Sequence, residues 1–333
     1  MARETLTKPG LVLEDTERLA QDELRRLRRL PLWQVRLRLL GRSLAAQWRL
    51  FAEQPIGLIG LAIIVCFGLF AVLHPLLMGR VWPRAIYDPI IGYDPAFPSH
   101  PVGPSAAHWL GTDPLGRDVL SQLMFGTGSA FTLGITAALV TVLIGTTVGA
   151  VAGYFGGAID TFLMRLADLV IILPFIVILI VLGALFELNL FTLAVVIGIL
   201  GGFGGTAIVI KSQALTVKVR AYIEAARVAG GGHGHIILRH IIPNLLPLSF
   251  LYMMFGVTEA IAAEATLSFF GLLDVRMSWG LMIHTANTAG YLLNFSTWWL
   301  ILPAGLSITL LSAAFYFVGR AMDEVVNPRL RRR

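Results

Sequence analysis

Residues 222–247 read YIEAARVAGGGHGHIILRHIIPNLLP, a polar, glycine-broken stretch between two apolar runs that are each long enough to cross a membrane as a helix. Ala225 and Ala226 are strong helix formers with almost no bulk, so a helix built on them can lie close to another surface. Glu224 offers one charge to a basic group on that surface. Gly230 reaches positive φ without a Cβ clash and is the expected end of the helix. Three glycines follow one another here, Gly230, Gly231 and Gly232. They loosen the turn by about 1 kcal/mol for each extra glycine if the segment is helical. The stretch reads as a short helix and a turn outside the bilayer. It is either a lever that meets a partner protein or an ordinary helix–turn–helix in a loop.

The flanking chain decides the class. Of 333 residues 56% are hydrophobic and 14% charged, and mean hydropathy is +0.76, outside the soluble globular range. Six apolar runs stand out, at 56–78, 127–153, 163–185, 190–210, 248–272 and 298–319. Each has the roughly 20 residues a helix needs to span a hydrocarbon core of about 30 Å. Alternating barrel strands are not seen, so the expected fold is all-α and polytopic, with six transmembrane helices. The first run is too long for the apolar core of a signal peptide and is read as retained. Cys66 is the single cysteine and lies in that run, so no intrachain disulfide can form.

Basic residues set the expected orientation. With the N-terminus inside, eleven Lys/Arg precede the first run, Arg165 follows the second, five lie between Lys211 and Arg239, and five lie from Arg320 onward. Only Arg80, Arg84, Arg117 and Arg276 fall on the other side. The excess belongs in the cytoplasm, so both termini are expected there. The net charge of +6 then reflects topology and lipid attraction rather than a nucleic-acid surface. The expected organisation is a cytoplasmic segment over 1–54, a six-helix domain over 55–320 with a cytoplasmic loop at 211–247, and a basic tail over 321–333.

Within 1–54, Trp33, Leu37, Leu40, Leu44, Trp48 and Phe51 recur at helical spacing while Arg36, Arg38, Arg42 and Arg49 avoid that stripe. A basic amphipathic helix in the membrane interface is expected, with packing on a partner domain as the alternative. Prolines at 83, 89, 95, 98, 101 and 104 predict turns and extended pieces over the loop 79–110. Gly145, Gly149 and Gly153 form a small-residue face for close helix approach. Pro174 and Pro303 are expected to kink the third and sixth spans. The glycines from Gly201 to Gly205 loosen the fourth.

No G-x-x-x-x-G-K-S/T, H-E-x-x-H or G-x-S-x-G occurs, so the chain carries neither a P-loop nor the commonest hydrolase signatures. Any energy source must be a partner. Before the second span stands His108-Trp109-Leu110-Gly111-Thr112-Asp113-Pro114-Leu115-Gly116-Arg117-Asp118, a turn-rich, charge-paired entry to a helix with Asp113 as candidate cap. Glu264-Ala265-Thr266-Leu267-Ser268-Phe269-Phe270-Gly271 precedes Ser278-Trp279-Gly280, and Asp323 precedes Asn327-Pro328-Arg329-Leu330.

These stretches resemble, in order, the GTDxxGRD, EAA-loop, ExxLSFLG…SWG and D…NPRL segments of one family. It is the peptide/nickel type of binding-protein-dependent ABC importer permease, and the match is to the second of its two membrane subunits. The resemblance covers nearly everything beyond about residue 40 and implies a type I ABC importer permease fold. It also implies a second homologous permease subunit, two separate ABC ATPases, an extracytoplasmic substrate-binding protein, and a peptide as substrate. It implies neither cofactor nor enzymatic activity in this chain. Carried over by position, Glu224, Ala225, Ala226 and Gly230 form the ATPase-coupling helix and its turn, with Arg227 and Arg239 as flanking contacts. A nickel or other small-solute importer is the near alternative. An ATPase-independent channel or scaffold is the alternative from another class.

Intramembrane charge is the remaining signal. Glu259 and Glu264 lie in the fifth span, about 140° apart around a helix. Either is a candidate for the translocation path, and a structural ion pair or helix–helix hydrogen bond is the competing reading. Asp168 is expected to pair with Arg165. His233, His235 and His240 have metal-ligand chemistry, but no carboxylate or cysteine stands beside them and no metal site is expected.

Overall fold

The computed structural model describes residues 41, 45 and 48–326. Most of the expected amphipathic helix and the Asn327–Leu330 motif lie outside the described residues; of that helix, 48–52 are helical and Trp48 stacks on Phe51. The described residues divide between Glu53 and Gln54 into two compact units, and the second holds every element below.

Among the described residues there is no strand, only two isolated bridges. The first span is α1 (Pro55–Arg80), whose first-turn Pro55 costs no hydrogen bond. One helical turn, α2 (Arg84–Tyr87), interrupts the proline-rich loop. The second span, α3 (Val119–Phe155), has 37 residues and is about 55 Å long, well beyond a hydrocarbon core. It starts eight residues before its apolar run because Asp118, not Asp113, caps it, accepting the Ser121 N–H at 2.7 Å. Asp113 instead folds the preceding turn, accepting from the N–H groups of Leu115 and Arg117 at 2.9 Å each.

The third span is broken rather than kinked: α4 (Gly157–Ile172) and α5 (Phe175–Leu185) meet at 79° across Leu173 and Pro174. Proline removes one backbone donor and pushes its predecessor out of the helical region, which suffices for a break. The fourth span joins α6 (Leu190–Gly201) through a π-turn (Gly202–Thr206) to α7 (Ala207–Lys218), with Gly204 at the non-helical ψ of −132°. Two short helices follow, α8 (Ala221–Val228) and α9 (His233–Ile236). A second π-turn (Ile237–Ile241) leads into α10 (Ile242–Phe269), the fifth span. Beyond it lie α11 (Trp279–Thr288), a 3-10 turn (Phe295–Leu300) and α12 (Leu302–Val326). Pro303 therefore stands in the first turn of the sixth span instead of kinking it.

Among the described residues five helical stretches are long and apolar enough to cross a membrane, and the bent α4–α5 pair brings the number to six if it is counted as one span. At the centre is α3, packed against α1, α6, α7 and α10. Its glycine face is why it can be. A Cβ on Gly149 would stand 2.7 Å from the Ala207 carbonyl oxygen and 2.8 Å from Ile210 Cβ, and one on Gly153 2.7 Å from Ala214 Cβ. Only glycine lets α3 and α7 approach this closely.

Candidate functional site

At one end of the bundle, α8 hangs on a single side chain. Ile223 is fully buried among Tyr154 of α3, Val217 of α7 and Ile236, Ile237 and Ile241 of the following segment. Burial of one isoleucine stabilises the seat by about 1.5–3 kcal/mol. Tyr222, Glu224, Ala225, Arg227 and Val228 are exposed, Val228 by 90%. The helix thus has one anchored face and one free face mixing charge with apolar surface.

Its end is a Schellman motif. The Gly231 N–H donates to the Ala226 carbonyl at 2.9 Å and the Gly230 N–H to that of Arg227 at 3.0 Å, with Gly230 at φ +82°. The helix ends at Val228, Gly230 makes the turn, and Gly232 already precedes α9 in extended geometry. His233 Nδ1 lies 2.8 Å from the Tyr154 hydroxyl, and the rings of His235 and His240 are 5.5 Å apart. Each histidine has packing to do, and no group of three His, Cys, Asp or Glu poised to hold a metal occurs among the described residues. Two ion pairs lie close by: Arg165 with Asp168 at 3.7 Å, as expected, and Lys211 with Asp160 at 2.5 Å, which ties α7 to α4.

The opposite end holds a buried charge cluster built by the loop before α3. Arg117 Nε donates to Asp113 Oδ2 at 2.7 Å, and the same oxygen accepts from Gln122 Nε2 at 2.8 Å. His108 is fully buried between two carboxylates, Nδ1 at 2.8 Å from Asp118 and Nε2 at 3.2 Å from Asp94. Burial pushes the Asp118 carboxyl above its ordinary range, against the opposing pull of Ser121 and His108. Trp299 seals the turn, its indole donating to the Thr112 carbonyl at 3.2 Å. The cluster fixes the entry of α3.

The two intramembrane carboxylates part company. Glu264 is 3% exposed and accepts from Ser268 Oγ at 2.6 Å. Ser268 in turn accepts from Ser278, which caps α11 at Leu281. Trp279 beside it donates to the Leu123 carbonyl of α3 at 3.0 Å. Glu264 therefore stitches α10 to α11. Glu259 faces a cavity of about 340 Å³ bounded by the α4–α5 break, the π-turn after α6, and Tyr252 and Gly256 of α10. Tyr252 was not foreseen as a site residue. Its spacing from Gly256 and Glu259, four and three residues, is the signal that places all three on one helical face.

Comparison with known proteins agrees with this architecture. Residues 145–332 match the family described as the binding-protein-dependent transport system inner membrane component. The chain is 32% identical over 288 residues to the dipeptide transport system permease protein DppC of Bacillus subtilis, spanning 86% of this chain and 85% of that protein. To the oligopeptide transport system permease protein OppC of Haemophilus influenzae it is 36% identical over 225 residues, 67% and 70% of the two chains. To the glutathione transport system permease protein GsiD of Pectobacterium atrosepticum it is 31% identical over 288 residues, 85% and 90%.

Proposed function

This chain belongs to the family of binding-protein-dependent transport system inner membrane components, and from that premise we propose that it is one of two paired permease subunits of an ATP-driven peptide importer. It is a permease and not itself an enzyme; ATP hydrolysis belongs to separate chains. Relatives named for dipeptide, oligopeptide and glutathione transport favour a peptide over nickel as cargo. A binding protein delivers the peptide from outside, and the Lys/Arg asymmetry favours termini and α8 on the cytoplasmic side.

The observation that carries the coupling role is the seating of α8. Ile223 is locked into packing shared by α3, α7 and the segment leading to α10, while Glu224, Ala225 and Arg227 are free to meet another protein. An ATPase that moves α8 moves the buried cluster with it, because close-packed side chains transmit displacement rather than absorb it. Gly230 supports the role by ending the lever after two turns. The segments 1–54 and 321–333 flank the permease domain and add basic surface for the lipid or the ATPases.

Gentle detergent purification of the tagged chain, followed by mass identification of what comes with it, tests this reading. A P-loop ATPase and a second homologous permease are expected with the wild type. Glu224→Arg is expected to keep the second permease and lose the ATPase. Wild-type chain that purifies alone, even after crosslinking, refutes the proposal in favour of an ATPase-independent channel or scaffold.

A further inference from the structure

Glu259 stands ten residues before the far end of α10, about 15 Å along the helix axis, deep within the span. Among the described residues no hydrogen bond or opposite charge reaches its carboxylate, whereas Glu264 is satisfied by Ser268. A carboxylate at that depth is costly and is retained where it faces a wet cavity or a ligand. Here it is exposed to an open cavity whose walls include residues of two helix breaks: Leu173 and Phe175, which flank Pro174, on one side and Gly204 on the other. Irregular backbone at membrane depth is tolerated where it lines such a space.

The donor set limits the ligand. The cavity is lined by one carboxylate residue, Glu259, by Tyr252 and Thr206, and otherwise by glycine and apolar residues. A hard metal ion takes six or more oxygen ligands and finds too few here. A single carboxylate among largely apolar walls suits an alkylammonium group, which donates a charge-assisted hydrogen bond to it. A volume of about 340 Å³ equals the share of roughly eleven water molecules, room for the end of a peptide.

We propose that Glu259 is the specificity-determining contact for the cationic amino terminus of the transported peptide as it crosses the membrane. Gly256 keeps the approach open, and Tyr252, two turns from Glu259 on the same face, lines the same path. The substrate thus exchanges its hydration for a charge-assisted hydrogen bond at the one point in this cavity where the protein holds a carboxylate. The inference rests on the importer reading, and its test reports on the two separately.

The test treats the assembled transporter, purified with its partner chains, with dicyclohexylcarbodiimide and follows modification of Glu259 by mass spectrometry. Millimolar trialanine is expected to slow modification by about ten-fold or more, the scale of one charge-assisted hydrogen bond, while N-acetyl-trialanine leaves the rate unchanged. Equal protection by both peptides, or by neither, overturns the assignment. In the same assembly Glu259→Gln is expected to lower trialanine uptake by at least about ten-fold with subunit composition unchanged. Loss of the second permease from that variant would make Glu259 an inter-subunit pairing group and overturn the proposal. Wild-type assembly that hydrolyses ATP without moving any peptide refutes the importer reading itself, and the cargo assignment with it.

Discussion

Replacing Gly230, Gly231 and Gly232 one at a time by alanine separates three physical effects within three residues. A Cβ on Gly230 meets nothing within 4 Å, so its whole cost is conformational: φ is +82° and alanine resists that region by about 1–2 kcal/mol. A Cβ on Gly231 would sit 2.7 Å from the Ala226 carbonyl oxygen, the same atom its own N–H bonds, so that substitution opens the closing hydrogen bond of α8. Gly232 has φ −67° and ψ 160° with open space around it, and alanine there stabilises by about 0.4–1 kcal/mol through the unfolded chain. Hydrogen exchange over 221–231 reads the result directly, since the amides of Ala229, Gly230 and Gly231 are held by carbonyls of α8. Gly230→Ala is expected to speed local exchange about five- to thirty-fold, Gly231→Ala to speed it as well, and Gly232→Ala to slow it. Gly230→Asn should fall between wild type and Gly230→Ala, because asparagine tolerates the left-handed region. Equal exchange in Gly230→Ala and Gly232→Ala would refute the assignment of the turn to Gly230.

Ile223→Ala removes the one anchor of α8 and is expected to cost about 2–5 kcal/mol locally, seen as loss of exchange protection over 221–228 and of ATP-coupled uptake while the spans stay folded. Gly149→Val forces α3 away from α7 and should lower the melting temperature in detergent, an overpacking cost of about 1–3 kcal/mol, whereas Gly128→Ala, with nothing within 4 Å, should be neutral or better. Asp118 titrates higher in the folded loop than its ordinary 3.8, so the folded state binds the proton more readily. Its contribution to stability therefore falls as pH rises from 3.8 through the raised value, and Asp118→Asn should flatten that slope in acid unfolding while costing about 1 kcal/mol for the weakened cap.

What was legible in the sequence was whatever depends on local pattern. Length and apolarity mark the spans because a bilayer demands about 20 apolar residues from each, and the glycine ladder from Gly145 to Gly153 is readable because small residues at four-residue spacing can serve only one face. The helix ends were harder. Both Asp113 and Asp118 are capable caps, and only the tertiary pairing of Asp113 with Arg117 and Gln122 leaves the role to Asp118. Pro303 reads as a kink inside an apolar run, yet the run from Trp298 folds as a tight 3-10 turn first and places the proline at a helix start, where its missing N–H is harmless. The fates of Glu259 and Glu264 were beyond local pattern altogether. A spacing of five residues separates their faces but does not say which face meets Ser278 and which meets a cavity.

The two sites are joined by continuous helix. From the packing around Ile223, α7 runs without a break to Thr206, which lines the cavity, and α10 runs from Ile242 through Tyr252 to Glu259. The sharpest joints fall at the cavity, the π-turn with its non-helical Gly204 and the 79° break at Pro174, while α10 carries Pro247 along the way and α7 has no such interruption. On the proposed coupling role, a push at α8 carried by α7 meets an unbroken helix first and the Gly204 hinge second, at the cavity wall. Restoring helical geometry at the hinge should uncouple the ends. Gly204→Ala meets only Val170 Cγ1 at 3.7 Å and Ile171 Cγ1 at 3.8 Å, ordinary contacts, so packing does not forbid it. Alanine favours the helical region over the ψ of −132° now adopted, by about 1 kcal/mol on the helix scale. The variant is expected to assemble and hydrolyse ATP normally while peptide uptake falls. Unchanged uptake with a straightened fourth span would show that the glycine break has no part in opening the cavity.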